Sequence, residues 1–144
     1  MKIVIVEDEK EILRGMKEAL SELPAVFDEI HAFDNAEQAL SAIQRIEPPL
    51  VITDIVMQQM SGLELVEQAM TDRYRPKVIV VSGYNNFEYA QRGIKLGITD
   101  YILKPFAKEP FRQAVLGVVE LIREEEKDAR RHEPIAQLGT RALR

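Results

Sequence analysis

Short apolar runs and amphipathic stretches alternate five times along this chain, and that alternation leaves few folds open. The runs are Lys2 to Val6, Glu29 to Phe33, Leu50 to Thr53, Lys77 to Val81 and Asp100 to Leu103. Each has the length and content of a strand. Between them apolar residues recur at helical spacing: Ile12, Leu13, Met16, Ala19, Leu20 and Leu23, then Ala36, Ala39, Leu40, Ile43 and Ile46, then Leu63, Leu65, Val66, Ala69 and Met70. A fourth helix is predicted from about Asn86 to Leu96, ended by Gly97 as a C-cap glycine. A fifth carries Phe111, Val115, Val118 and Ile122, and Pro24, Pro48-Pro49 and Pro76 punctuate the series. Five such units specify an α/β fold: a five-stranded parallel sheet with helices on both faces, since crossovers are right-handed and both faces need cover. Leu50 to Thr53 is apolar enough to be central, whereas Glu29 to Phe33 mixes in polar residues as an edge strand does.

The 144 residues are enough for one domain with a core that needs no staples. We place that domain at residues 1–123. From Glu124 the character changes to solvated charge, with Glu126 and Arg130 spaced as a helical pair. Residues 124–144 are therefore expected to be a charged helix extension and a linker or tail, since Pro134 to Arg144 shows no strong period. The chain has no cysteine, hence no disulfide, thiolate metal site or cysteine nucleophile. Two histidines, His31 and His132, are too few for a histidine-built metal centre, which leaves oxygen ligands and hard cations such as Mg2+. A net charge of −5 argues against nucleic-acid binding by this segment. No apolar stretch reaches the ~18 residues of a membrane span. The first strand begins at once, without a signal-peptide pattern, so the expected location is cytoplasmic.

The chemistry sits where the strands stop. Glu7 and Asp8 follow the first run, Asp54 the third, Ser82 the fourth and Lys104 the fifth. In a parallel sheet all these ends lie along one edge, where ligands bind. Glu7-Asp8 reads as a metal-holding acid pair. Asp8 with Glu11 also fits a helix capping box, and the two readings are compatible. Asp54 ends a run so apolar that its charge is costly without a partner, and crowding it against Glu7 and Asp8 should raise one or more carboxyl pKa values. A bound divalent cation and the Lys104 ammonium would relieve that repulsion. Lys104 precedes Pro105, and a cis bond there would aim the lysine into the pocket. Taken alone, Ser82-Gly83 is an ordinary turn, and Tyr101 is an ordinary strand aromatic.

Together, in this order, these residues resemble the receiver domain of bacterial two-component response regulators, over about residues 1 to 122. The resemblance implies a (βα)5 flavodoxin-like fold with Asp54 as phosphoacceptor. Glu7, Asp8, Asp54 and the Val56 backbone carbonyl would hold Mg2+, Lys104 would contact the phosphoryl oxygens, and Ser82 and Tyr101 would form the switch pair. The stretch Ser82-Gly83-Tyr84-Asn85-Asn86-Phe87-Glu88-Tyr89-Ala90 is similar to receivers fused to arabinose-regulator-type helix-turn-helix output domains. One departure stands out. The family usually has Met-Pro in the loop after the phosphoacceptor, and here Met57 is followed by Gln58. Losing that proline frees φ and restores an N–H, so the loop is expected to be more mobile. Gly62, a turn residue the family uses, is present.

The implied function is a phosphorylation-dependent signalling switch. It would not be an enzyme in its own right, although it would assist its own phosphorylation and dephosphorylation. The implied partners are a sensor histidine kinase, a C-terminal DNA-binding output domain outside this chain, and a second copy in a homodimer. No membrane contact is implied. Val56 and Tyr84 would flank the path of the hydrolytic water. Three other readings compete. A haloacid-dehalogenase-type phosphatase needs a second aspartate two residues after the first, where this chain has Val56. A flavin-binding flavodoxin-like domain needs a phosphate loop where this chain has Glu7-Asp8-Glu9. A receiver-like interaction module that is never phosphorylated would typically lose an acid or the lysine. This chain keeps all of them, and Gln58 is the one feature in that direction.

Overall fold

The computed structural model describes residues 1–23, 25–83 and 87–141. Five strands alternate with five helices: β1 Lys2–Val6, α1 Lys10–Ser21, β2 Glu29–Phe33, α2 Ala36–Ile46, β3 Leu50–Asp54, α3 Gly62–Ala69, β4 Lys77–Ser82, α4 Phe87–Leu96, β5 Asp100–Leu103 and α5 Lys108–Arg141. All pairings are parallel, in the order β2-β1-β3-β4-β5. The polar-mixed β2 is an edge and the apolar β3 is the centre, as their compositions require.

Strand residues alternate between two cores. Ile3, Ile5, Leu50, Ile52, Ile79 and Val81 face α1 and α5, meeting Met16, Leu20, Phe111 and Val115. Val4, Val6 and Val51 face the other side, with Ala39 and Ile43 of α2 and Leu65 of α3. Val78 and Val80 extend that side under α3 and α4, with Leu63, Val66 and Leu96. Helices thus cover both faces, and the strand ends are left open at the rim.

Helix ends follow local chemistry, with one correction. Asn35 caps α2, its side chain accepting from the Gln38 N–H at 3.0 Å. Ser61 caps α3 in the same way, accepting from the Glu64 N–H. Gly97 ends α4 at φ +80°, and the Ile98 N–H donates back to the Gly93 carbonyl. The Asp8–Glu11 capping box does not form: the N-cap of α1 is Glu9, and its side chain makes no cap hydrogen bond. Asp8 belongs instead to the acidic cluster beyond β1.

α1 and α5 are clasped at one end. The Arg112 Nε donates to the Ala19 carbonyl at 3.1 Å, and its guanidinium pairs with Glu22 and Glu109. α5 then continues beyond the sheet, where Lys77 Nζ donates to Glu125 at 3.0 Å. The backbone stays helical past Pro134 to Arg141, through residues with no helical period of their own. Among the described residues no helix is long and apolar enough to cross a membrane.

Candidate functional site

The strand order reverses between β1 and β3, and a crevice opens there beyond the strand C-termini, as in other open α/β sheets. Register sets what meets in it. Val6 pairs with Thr53, so Glu7 and Asp8 leave β1 beside Asp54, the last residue of β3. Ser82 pairs with Leu103, so Lys104 leaves β5 beside the end of β4, its N–H donating to the Ser82 carbonyl at 2.8 Å. The Lys104–Pro105 peptide is cis.

The lysine side chain spans the rim. Its Nζ donates to Asp54 Oδ2 at 3.0 Å and lies 2.6 Å from Glu7 Oε1. The Glu9 carboxylate stands 3.7 Å from the same nitrogen. Carboxylate oxygens of Glu7, Asp8 and Asp54 fall within 4.8 Å of one another. Glu7 and Asp54 are buried, and Asp8 is half-buried. The residues singled out at three strand ends therefore do converge. Val56 follows on the exposed side of the same cleft, which measures about 790 Å³. Ser82 is fully buried at the end of β4. Tyr101 lies half-buried on β5, packed like Met70, Leu96 and Ile98 against the buried cluster of Ile55, Leu63, Val66, Val78 and Val80. Tyr84 lies outside the described residues.

The electrostatics follow from burial. Glu7 is pushed up to about 7, first by desolvation and to a lesser degree by the Asp54 charge, against the lowering pull of Lys104 and of the Glu9 N–H on Oε2. Burial by itself would lower the Lys104 pKa, but its contacts with Glu7 and Asp54 outweigh that and raise it. Glu7 Oε1 has no aligned hydrogen bond, only the ion pair. Oxygen-only donors and an excess of acid over the single lysine both suit a hard divalent cation.

Two features were not legible in the sequence. Glu9 carries no motif signal of its own, yet its carboxylate stands within ion-pair distance of Lys104. Gly62 is needed for space and not for an unusual φ. A Cβ there would overlap the Asp54 carbonyl oxygen, which already accepts from the Thr53 hydroxyl at 2.9 Å. The Gly62 N–H also donates to the Ile55 carbonyl, closing the loop that follows Asp54.

Comparison with known proteins gives the same picture. Residues 3–116 match the response regulator receiver domain family. The transcriptional regulatory protein HptR of Staphylococcus aureus is 39% identical over 105 residues, which are 72% of this chain and 40% of that protein. The chain thus spans about 40% of the length of the curated relatives it matches. Among solved structures, the receiver domain of AraT, a response regulator from Geobacillus stearothermophilus, superposes with a TM-score of 0.78 at 30% identity, covering 87% of this chain and 97% of that one. A CheY-like receiver domain protein from Methanospirillum hungatei gives a TM-score of 0.79 at 27% identity, covering 86% and 97%.

Proposed function

This chain belongs to the response regulator receiver domain family, and from that membership we propose that it is a switch thrown by phosphorylation of Asp54. The observation that carries the reading is the position of the Asp54 carboxylate: at the end of the central strand, 3.0 Å from Lys104 Nζ and inside the cluster with Glu7 and Asp8. The donor is a phosphohistidine of a sensor histidine kinase. An Asp54 oxygen attacks phosphorus, the P–N bond breaks, and the imidazole leaves with the bonding pair.

Charge spreads over three equatorial oxygens in the transition state. Glu7, Asp8, Asp54 and the Val56 carbonyl would hold Mg2+, which when bound supplies positive charge to those oxygens. Lys104 is already at the rim and needs only a short side-chain shift to meet the phosphoryl group. The Ser82 hydroxyl donates to a phosphoryl oxygen in the product. Water attacking in line later resets the switch, and exposed Val56 borders its approach. The chain is a regulatory domain that assists its own modification, acting in the cytoplasm.

The new group adds about −1.5 to −2 charge. Ser82 moves toward it and Tyr101 fills the space left, so phosphorylation favours one arrangement of the α4–β5–α5 face. Ile94 on α4, 74% exposed, with Leu103 on β5 and Leu121 on α5, gives that face apolar contacts for a partner. The partner is a second copy or an output domain. Relatives that are named as transcriptional regulators and are much longer than this chain support a DNA-binding output, of the arabinose-regulator type by the resemblance of Ser82 to Ala90.

The test is incubation with acetyl phosphate and Mg2+ followed by intact mass. Wild type gains one phosphoryl group and Asp54→Asn gains none. A wild type that stays unmodified by both a small donor and a phosphorylated kinase would leave the unphosphorylated interaction module as the better reading.

A further inference from the structure

Glu9 has no structural task that accounts for its placement. It occupies the N-cap of α1, but its side chain caps nothing. Its backbone is held in place: the N–H donates to Glu7 Oε2 at 3.1 Å, and the carbonyl accepts from the Leu13 N–H at 3.0 Å. The carboxylate is 65% exposed, stands 3.7 Å from Lys104 Nζ and lines the same cleft as Asp54. A negative charge on an anchored backbone therefore borders the route that any phosphoryl donor takes to Asp54. It partly occupies the lysine that would otherwise greet an incoming anion.

We propose that Glu9 is a specificity-determining residue of this site: its carboxylate discriminates among phosphodonors by their charge, disfavouring free dianions. The proposal rests on the phosphoacceptor reading of Asp54. Its physical content is Coulombic. A unit charge at the mouth of a wet cleft changes the electrostatic work of bringing a donor in, roughly in proportion to the donor's net charge, and salt screens it. Two small donors separate this effect from general damage. Acetyl phosphate near neutral pH is a dianion; Asp54 attacks phosphorus, the P–O bond to the acyl group breaks, and acetate departs. Phosphoramidate is a zwitterion with one net negative charge; the P–N bond breaks, and ammonia leaves with the protons it already carried.

The experiment measures Asp54 phosphorylation rates with both donors at low salt and saturating Mg2+. Glu9→Gln is expected to accelerate acetyl phosphate about fivefold and phosphoramidate about twofold, since half the charge feels half the barrier change. Glu9→Lys should move both further in the same order. Glu11→Gln, an exposed acid on α1 that does not line the cleft, should leave the ratio of the two rates unchanged. Raising the salt to about 1 M should shrink the Glu9 effect. Equal changes for both donors, or none, overturn the proposal, because a merely structural role for Glu9 would not sort donors by charge. A wild type that takes phosphoryl from neither donor instead overturns the reading of Asp54 itself.

Discussion

Glu7 shows how one buried side chain couples the site to the stability of the whole domain. Its folded pKa, about 7, lies above the ordinary 4.5 because burial disfavours its charged form. Between those two values the folded state keeps a proton that the unfolded state has released. The contribution from Glu7 is therefore complete below about pH 4.5 and is lost as pH rises through about 7. Denaturant midpoints of the metal-free protein, referenced to Glu7→Gln, should fall across that window and flatten above it; a difference independent of pH would contradict the burial account. The acid pair and the lysine were readable because each ends an apolar run. Which carboxyl would carry the raised pKa was not, since that depends on how deeply each is buried. Glu9 and the crowding at Gly62 were hidden for a similar reason: the contacts with Lys104 after β5 and with Asp54 at the end of β3 arise only from the folded backbone path.

At the scale of elements, alternating apolar patterns placed the five strands to within a residue, whereas α5 runs on to Arg141, past Pro134 where the sequence reading expects a linker or tail. Side-chain caps were harder. Asp34 and Asn35 are both good cap residues one position apart, and only the backbone path selects Asn35. Asn35→Ala should cost about 1 kcal/mol in chemical denaturation, whereas Asp34→Ala, which loses only a long surface ion pair with Lys10, should cost a few tenths at most. Equal losses would mean that the cap assignment is wrong. The start of α1 went the other way. A sequence that fits a capping box yields its aspartate to the acidic cluster, so the helix begins one residue later without a side-chain cap.

Across the whole molecule, two features invite measurement. The helical residues after 123 extend past the sheet, with Lys77–Glu125 as an exposed ion pair back to it. A chain ending at residue 123 should fold and lose no more than about 1 kcal/mol, the usual scale of one surface pair; failure to fold would make the extension part of the domain. The apolar α4–β5–α5 residues suggest self-association on activation. Sedimentation with beryllium fluoride and Mg2+ should show a shift toward dimer, and unchanged behaviour would assign that face to a different partner.

Order of elements, edge and centre of the sheet, and the residue types at each strand end were determined by the sequence itself, because they depend on periods and turn residues within a few positions. The tertiary structure decided which of those ends touch. Strand order β2-β1-β3-β4-β5 puts residues some fifty positions apart side by side, and it is lateral spacing across the sheet that lets the Lys104 amine reach Asp54 and Glu7 together and leaves Glu9 at the mouth of the cleft.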